Sequence, residues 1–259
     1  MKKVVLNYLV IATLAVSAAF IISCSKSVSD EDFGEVQLPK TIVTKSFRDY
    51  HRHEYEYDSQ NRIIKYLSYF SHEELGPDAV PRTVKTFTYI EDYFVKVVVE
   101  RLNSSTSTVE ISKNGNRATA TRKYIGGFYD GEISFTAITN LDKNGYPTKR
   151  ESAFVPGAFG ANHSEVETYQ FRNGNLIRHS IVRSYGPNTD DSFTYDNKKS
   201  PFFYCETPIW VTLNLFMYYY FSKNNYTGFK YEYNTAGLPV KRTMKLASGE
   251  EYVIEYIYK

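Results

Sequence analysis

The sequence predicts an all-β protein, a long antiparallel meander of hairpins curled into a barrel-like sheet. Hairpin turns recur along the chain, and the stretches between them alternate apolar and polar residues as strands do. The chain has 24 tyrosines and 17 phenylalanines in 259 residues, and aromatic side chains fill wide, twisted sheets well. A meander of about a dozen strands must curl or close to hide its edges.

The N-terminus has the pattern of a signal peptide. Lys2 and Lys3 precede an apolar run that ends at Cys24, and a basic start with a short apolar segment is typical of secreted proteins. The alternative is a transmembrane helix, since residues 4–22 approach the ~20 residues that span a bilayer, although polar side chains interrupt its start. We predict that residues 1–23 are the signal peptide.

The motif "FIISC" at residues 20–24 resembles the lipobox of bacterial lipoproteins. The resemblance implies that Cys24 is the lipidation site, with diacylglycerol on its sulfur and a third acyl chain on the new amino group. Several acyl chains make a stable anchor, whereas one chain binds only reversibly. The expected partner of this end of the chain is therefore a membrane, reached through the lipid anchor.

Residues 24–39 are polar, aperiodic and acidic at residues 30–32, which predicts a flexible tether. A serine-rich start followed by a short acidic run resembles the surface-export signal of Bacteroidetes lipoproteins. The alternative is that the acidic run only keeps a linker solvated. Ser25 also lacks the aspartate that is associated with inner-membrane retention, so we expect an outer-membrane location, with the cell surface as one of its two faces.

Processing at Cys24 changes the charge balance of the protein. It removes two lysines and no acidic residue, which leaves 29 basic and 29 acidic side chains. The charge balance of the processed chain therefore gives no indication of a basic face for nucleic acid, and we expect no nucleic-acid partner. Cys205 is the only other cysteine, so no disulfide within the chain is expected. Residues 40–259 are long enough for one β-hairpin-repeat domain.

The stretch "YEYDSQNRIIKY" at residues 55–66 is the clearest hairpin. Tyr55 and Tyr57 lie on one face of a strand because side chains alternate with period two. Residues 58–61 form the turn, where the aspartate bonds its own backbone and Asn61 tolerates a positive φ. The return strand sets Lys65 across from Glu54, unless a bulge slips the register by one residue.

Looser copies of this hairpin recur along the chain. They are "VEISKNGNRAT" from Val109, "NLDKNGYPTKR" from Asn140, "YQFRNGNLIRH" from Tyr169, "FTYDNKKSPFF" from Phe193 and "YEYNTAGLPVKR" from Tyr231. Three contain Asn-Gly, which predicts type I′ turns. Their uneven spacing excludes a solenoid or propeller. Further strands are expected at "TVKTFTYI", "YFVKVVVERL", "EISFTAITNL" and "EEYVIEYIY", the last with four apolar residues on one face, Tyr252, Ile254, Tyr256 and Tyr258.

Residues 206–221, "ETPIWVTLNLFMYYYF", do not follow the hairpin pattern. Pro208 suits the first turn of a helix, and Leu213, Phe216 and Tyr220 recur at helical spacing. A buried strand is the alternative, because β-branched and aromatic residues also favour it. We predict a short helix or plug that carries Trp210, the only tryptophan, into the interior of the curled sheet.

Two resemblances concern the domain as a whole. The pattern Tyr-x-Tyr-Asp-x-x-x-Arg at residues 55–62 resembles the tyrosine-aspartate repeats of Rhs-type proteins. Roughly residues 40–259 resemble a Bacteroidetes lipoprotein family of unknown function with a porin-like fold, through "YEYDSQNRIIKY", "DNKKSPFF", "SKNN" and "YEYNTAGLPVKR". The resemblance implies a fold, and it carries no catalytic residue over to this chain.

The sequence marks no catalytic, metal or cofactor site. His51 and His53 share a strand face and could give a metal two ligands, but no third ligand is apparent. The pairs Glu73-Glu74 and Asp190-Asp191 are adjacent in sequence, so on a strand they point to opposite faces and form no glycosidase dyad. Ligand-binding residues cannot be named from these patterns, and we expect no cofactor.

Three classes of function remain. The favoured one is a non-catalytic envelope lipoprotein whose aromatic-rich β-domain binds a glycan, peptide or protein. The alternative is a surface-anchored hydrolase whose carboxylates come together only in the fold. An outer-membrane pore is disfavoured, because the predicted strands carry charges on both faces and an inserted barrel needs no lipid anchor.

Overall fold

A computed structural model describes residues 36–46, 49–126, 130–155, 163–213, 222–246 and 249–258. The predicted signal peptide, Cys24 and most of the predicted tether lie outside these ranges. Residues Gln37–Lys259 form a compact unit. Within the described ranges, no helix has the length and apolar character needed to cross a membrane.

The described residues contain seventeen strands and one short helix, more strands than the dozen expected. They are β1 (Pro39–Lys45), β2 (Tyr50–Tyr57), β3 (Ile63–Ser71), β4 (Thr83–Ile90), β5 (Phe94–Arg101), β6 (Thr106–Asn114), β7 (Arg117–Ile125), β8 (Ile133–Leu141), β9 (Pro147–Phe154), β10 (His163–Arg172), β11 (Asn175–Arg183), β12 (Thr189–Ser192), β13 (Tyr195–Lys199), α1 (Ile209–Thr212), β14 (Asn224–Tyr226), β15 (Lys230–Tyr233), β16 (Pro239–Lys245) and β17 (Glu251–Tyr258).

Fifteen strands form one antiparallel sheet that follows the chain as a meander. The order runs from β12 at one edge back to β1, then through β17 and β16 to β15 at the other edge. The first and last strands of the chain are therefore neighbours, with Ile42 opposite Tyr256. The sheet is curled but open, which confirms the predicted fold class.

Alternate connections of a meander lie at the same end of the sheet. The tight-turn end carries the turns at residues 58–62, 91–93, 115–116, 142–146 and 173–174. The long-loop end carries the opposite connections, such as residues 72–82 between β3 and β4. These two names are used for the two ends below.

The turn after β2 has the predicted chemistry. The Asp58 carboxylate accepts hydrogen bonds from the backbone N–H groups of Gln60 and Arg62, both at 2.9 Å. It also accepts one from the Arg62 Nε at 2.8 Å, and Asn61 has a φ of 61°. The aspartate therefore fixes the turn and the start of the return strand together.

The predicted register of this hairpin is wrong by two residues, one because the turn is longer than predicted and sets Tyr57 opposite Ile63, and one because of a bulge. Lys65 lies opposite Glu56, and Glu54 lies opposite Leu67. The pairing shifts between Glu56 and Tyr57, directly before the turn. An extra residue on one strand of a pair produces such a shift, and here it brings the Lys65 ammonium to 3.1 Å from the Glu56 carboxylate.

Two other turns repeat the arrangement of Asp58. The side chain of Asp142 accepts from the backbone N–H of Tyr146, and that of Asn234 accepts from Leu238, each at 2.9 Å. In both, the register shifts by one residue next to the turn, and the extra residue is on the following strand. The residues with positive φ at the fourth turn position are Gly145 at 82° and Gly237 at 74°. The recurring unit is thus an Asx-capped turn coupled to a bulge.

The type I′ prediction is right at one of the three Asn-Gly pairs. Asn173 and Gly174 have φ values of 52° and 80°, as a type I′ turn requires. The hairpin after β6 instead turns on Gly115 and the next residue, with only the glycine at positive φ. Glycine at the first central position is the type II′ solution. The third pair lies within the turn that Asp142 caps.

The copy predicted from Phe193 is not a hairpin of its own. Its residues form β13, which pairs with β14 from a later part of the chain as a two-stranded ribbon. The Tyr195 hydroxyl donates to the backbone oxygen of Leu176 on β11 at 2.7 Å. The Tyr233 hydroxyl on the edge strand β15 donates to Asp196 at 2.7 Å. The ribbon therefore contacts strands from both sides of the gap in the sheet.

The predicted plug is confirmed for its described part, while residues 214–221 lie outside the described ranges. The helix α1 follows Pro208, and Trp210 is only 3% exposed. The preceding segment is bonded to the hairpin at residues 55–66. The Thr207 hydroxyl accepts from the backbone N–H of Ile63 at 2.7 Å, and the Glu206 N–H donates to the Asn61 carbonyl at 3.0 Å.

The apolar core lies on the inner face of the curled sheet. Alternate residues of β5, which are Val95, Val97 and Val99, are all buried. Ile254 and Tyr256 of β17 are buried in the same cluster, which confirms the shared face predicted for that strand. Trp210 and the neighbouring Val211 belong to this cluster too. The chain thus fills the space inside the sheet with a segment that is not a strand.

Burial of the only tryptophan gives a direct test of the plug. Wild-type emission should be blue-shifted and resist iodide quenching until the protein unfolds. Truncation of a packed tryptophan to alanine costs ~3–5 kcal/mol, a large share of the ~5–15 kcal/mol that stabilises a domain. Trp210→Ala should therefore lower the denaturant midpoint clearly, whereas Tyr93→Ala, at an exposed turn residue, should not. Ready quenching with unchanged midpoints in both variants would contradict the plug.

Candidate functional site

A cavity of about 660 Å³ lies at the tight-turn end of the sheet. Its walls come from the turns of the first five hairpins at this end, between β2 and β11, and from residues 202–210 before and within α1. Small-molecule sites usually have volumes of ~300–1,000 Å³ and a few fixed polar groups. The volume and position make this cavity the leading candidate for a binding site.

The wall formed by the first two hairpins is held rigidly. The Arg62 guanidinium lies 4.2 Å from the centre of the Tyr89 ring and is paired with Asp58. The Tyr89 hydroxyl donates to the Ile63 carbonyl at 2.8 Å. Burial, opposed by a hydrogen bond with Thr207, raises the pKa of Tyr89 to about 12. The Tyr89 phenol is therefore neutral at ordinary pH. This wall presents the Tyr89 ring and the Arg62 guanidinium, which Asp58 holds in place, to the cavity.

The opposite wall is contributed by the segment that leads into α1. Phe202 is buried against Tyr55, while Phe203 remains 38% exposed and also lines the cavity. Cys205 lies between them and the helix as a free thiol. Burial, opposed by hydrogen bonds with Thr207, raises the pKa of Cys205 to about 11. A protonated thiol is a poor nucleophile, so this wall offers contact area rather than covalent chemistry.

A second cluster of polar groups is buried on the inner face of β9, β10 and β11. The Glu167 carboxylate lies 2.5 Å from Nη1 of Arg150 and 3.0 Å from Nε2 of His179. Arg150 contacts Oε1 of Glu167, and the Tyr169 hydroxyl donates at 2.7 Å to Oε2, the oxygen that also contacts His179. Burial alone would raise the pKa of Glu167, but these hydrogen bonds and the Arg150 charge outweigh it and hold the pKa at about 2.

This buried cluster is poorly suited to acid–base catalysis. A general acid or base works best with a pKa near the working pH, whereas Glu167 stays ionised far below neutrality. Both of its oxygens already accept hydrogen bonds from the protein. Its arrangement resembles that of a structural ion pair, in which the charged partners are held by one another.

The two histidines singled out in the sequence do lie side by side. The rings of His51 and His53 are stacked with their centres 6.2 Å apart, and His53 Nδ1 is 2.8 Å from the Tyr66 hydroxyl. Burial first, then the charges of His51 and Lys85, lower the pKa of His53 to about 4. Among the described residues, no group of three or more His, Cys, Asp or Glu side chains is placed to hold a metal.

The paired carboxylates of the sequence lie apart from the cavity. Asp190 forms an exposed pair with Arg178 at 2.6 Å, and its neighbour Asp191 lies opposite His179 in the sheet. Glu73 and Glu74 are exposed in the long connection between β3 and β4. The structure brings neither pair into the tight-turn cavity or the Glu167 cluster.

The cavity and the Glu167 cluster were both missed by sequence reasoning. The cavity is formed by turns far apart in the sequence, so no local pattern marks it. The Glu167 cluster did leave a signal, since Glu165, Glu167 and Tyr169 alternate along a predicted strand and must share a face. An inward face with ionisable residues predicts partners on the neighbouring strands.

The comparisons with known proteins concern the fold. No protein-family profile and no curated protein matches the sequence. Among solved structures, the chain is similar to a porin-like protein from Bacteroides uniformis, with a TM-score of 0.51 and 14% identity over 85% of this chain and 98% of that one. The two proteins share a fold. A porin-like protein from Bacteroides vulgatus is also similar, with a TM-score of 0.45 and 9% identity over 86% and 99%.

This similarity confirms the porin-like fold implied by the sequence resemblance. At 14% identity it shows the fold alone, because one fold hosts many unrelated functions. The lipoprotein family and the Rhs-type repeats stay resemblances of the sequence.

The Glu167 cluster predicts an acid-dependent contribution to stability. The folded-state pKa of about 2 lies below the ordinary value of 4.5, so the contribution is present above pH 4.5 and is lost as the pH falls towards 2. Glu167→Gln leaves Arg150 buried without its charge partner, which typically costs ~3–5 kcal/mol. In urea unfolding, the gap between wild type and Glu167→Gln should be wide at pH 7 and narrow below pH 4.5.

Glu151→Gln is the matched control, because Glu151 lies on the neighbouring strand β9 in an exposed pair with Lys149. It should unfold at nearly the wild-type midpoint at pH 7. If the two variants had equal midpoints at pH 7, the stabilising role of the buried cluster would be refuted.

Proposed function

We propose that this protein is a lipid-anchored, non-catalytic binding module of the cell envelope, and that its ligand is a glycan held in the tight-turn cavity. The observation that carries the proposal is the cavity of about 660 Å³ between the hairpin turns and residues 202–210. Its volume fits a ligand of a few sugar units and its lining mixes ring faces with polar side chains.

The chemistry of the lining favours a sugar over an apolar ligand. A pyranose has an apolar face of C–H groups, which packs on aromatic rings, and a rim of hydroxyls, which pairs with polar side chains. The rings come from Tyr89, Tyr146 and Phe203, and the polar groups include Gln60 and Lys113. Peptides and proteins remain the other classes that an aromatic-rich surface binds, and the test below separates them.

The titratable groups near the cavity and in the core support binding rather than catalysis. The Cys205 thiol has a raised pKa, and the Glu167 carboxylate is ionised and fully paired. Neither group combines an accessible position with a pKa suited to nucleophilic or acid–base chemistry. We therefore favour a module that holds its ligand without changing it.

The outer face of the sheet supports attachment through lipid rather than insertion. Cross-strand pairs such as Lys65 with Glu56 and Arg178 with Asp190 project from it. The lipid-facing side of a membrane-spanning barrel is an apolar band in which charges are costly. A lipid on Cys24, at the end of the predicted tether, would hold such a domain at the outer membrane.

The cavity predicts a ligand-binding difference between two exposed aromatic residues. Phe203 lines the cavity, whereas Tyr93 lies in the same end of the sheet but outside the lining. The full chain should be screened on an array of host and microbial glycans, with the hits measured by calorimetry. Phe203→Ala should weaken binding about tenfold, which corresponds to ~1.4 kcal/mol, and Tyr93→Ala should leave the affinity unchanged.

Three results would overturn this assignment. In the first, no glycan binds, and a peptide or protein is captured by wild type but not by Phe203→Ala. The ligand of the cavity would then be a peptide or protein instead of a glycan. The second is equal weakening by Phe203→Ala and Tyr93→Ala, which would move the site elsewhere. The third is cleavage of a bound glycan, detected by mass spectrometry, which would make the protein a hydrolase.

The anchor has its own test. Cys24→Ser should abolish labelling of the protein by a clickable fatty acid, and it should leave the signal peptide uncleaved, because lipoprotein processing requires the acylated cysteine. Cys205→Ser is the control, since its thiol is buried in the domain, and should leave labelling intact. Labelling of Cys24→Ser at the wild-type level would exclude the lipid anchor.

A further inference from the structure

Three cationic side chains point to the inner face of the sheet towards the long-loop end. They are Lys85 on β4, Arg101 on β5 and Arg122 on β7, and together they are called the cation cluster below. Val99, which is buried inside the sheet, lies directly opposite Lys85. Directly opposed residues share a face in an antiparallel pair, so Lys85 points inward.

The two arginines are placed on the inner face by the same alternation. Arg101 follows Val99 by two residues, and residues two apart in a strand share a face. Arg122 lies opposite the buried Val109 of β6 and opposite the buried Phe135 of β8. Like charges from three strands are therefore gathered inside one part of the sheet.

Two carboxylates on the inner face of β10 are already paired with other arginines. Glu167 pairs with Arg150 at 2.5 Å, and Glu165 pairs with Arg183 at 3.0 Å. In the described part of the chain, Arg101 and Arg122 form no ion pair with a carboxylate, and the buried Nε of Arg122 donates no hydrogen bond. An arginine donor buried in this way costs free energy unless an acceptor reaches it.

The positive charges of the cluster lower the pKa values of its own members. Burial first, then the charges of Arg122 and Arg101, lower the pKa of Lys85 to about 7. Burial and the Arg101 charge also lower the pKa of Arg122. Lys85 is among the charges that hold the nearby His53 neutral. A bound anion would favour the charged forms of Lys85 and Arg122 and would raise their pKa values again.

Two buried aromatic rings pack against the cations of the cluster. The Lys85 ammonium lies 4.9 Å from the centre of the Tyr66 ring, and the Arg122 guanidinium lies 5.7 Å from that of Phe135. Arg101, at the end of β5, is exposed, whereas Lys85 and Arg122 are half-buried. The cluster thus extends from solvent at the long-loop end into the sheet, as an entry path requires.

We propose that the cation cluster binds an oxyanion, the phosphate or carboxylate group of a small ligand. The fork of a guanidinium pairs with two oxygens of such a group, and an ammonium adds a point charge. This site lies at the long-loop end of β4, β5 and β7, whereas the cavity lies at the tight-turn end, so the two proposals can be tested independently. The two oxyanions share the same recognition chemistry, and the test distinguishes them.

Calorimetric titration of the full chain with inorganic phosphate and, separately, with glucuronate tests the proposal. Ionic strength is held constant with sodium chloride, so that general screening does not change. At least one of the two anions should bind wild type. Arg122→Gln should weaken that binding at least tenfold, and Lys123→Gln should leave it unchanged, because the next residue along β7 points to the other face.

A second variant, Arg101→Gln, tests the proposal even if Arg122→Gln fails to fold. Arg101 is exposed at a strand end, so Arg101→Gln should keep the wild-type circular dichroism spectrum and still weaken anion binding several-fold. Binding of phosphate alone, of glucuronate alone or of both assigns the source of the oxyanion. No binding of either anion to wild type, or equal loss in Arg122→Gln and Lys123→Gln, would overturn the proposal.

Discussion

A sheet of fifteen strands that curls encloses more space than the inward side chains of its own strands fill, and the rest of the structure depends on how this space is filled. Eight-stranded barrels are closed by their own side chains, and wider ones hold a plug, a ligand or water. Here the tight-turn end receives Phe202, Trp210 and Val211 from a segment outside the strands. The cavity lies where that segment meets the turns.

The turns hold the plug as well as reverse the chain. Asp58 fixes the turn after β2, and the same turn presents the Asn61 carbonyl to the backbone of Glu206. The bulge on the return strand, where Ile64 is the extra residue, lies next to the buried Ile63, whose N–H donates to Thr207. A bulge that re-aims a residue next to a site is a common device. The chemistry that makes the hairpins recognisable in the sequence therefore also positions the wall of the cavity.

The fold was predictable because its signals are local. Alternation over residues 83–90 and 251–258 and the Asx turn at Asp58 each act over a few residues, so the strands and most hairpins follow from the sequence. The prediction of a hairpin from Phe193 failed because its strand β13 pairs with β14, far along the chain, although Asp196 still accepts a hydrogen bond from the backbone of Lys198. The cavity was not predictable for the same reason, since its walls unite five turns that no sequence window contains.

The interior contains two polar features, the Glu167 cluster and the cation cluster. Stability alone does not explain them, because apolar residues of equal volume often stabilise a core as well as an ion pair does. Arg150, Glu167 and His179 lie on three adjacent strands, and a slip of one residue would turn one partner outward and leave another buried without its charge. That cluster therefore specifies the register of β9, β10 and β11. The cation cluster brings like charges together, and none of its members lies directly opposite another on a neighbouring strand, so it does not specify the register of its strands. Register does not account for the cation cluster, and the proposed oxyanion would supply Arg101 and Arg122 with the anionic partner that they lack among the described residues.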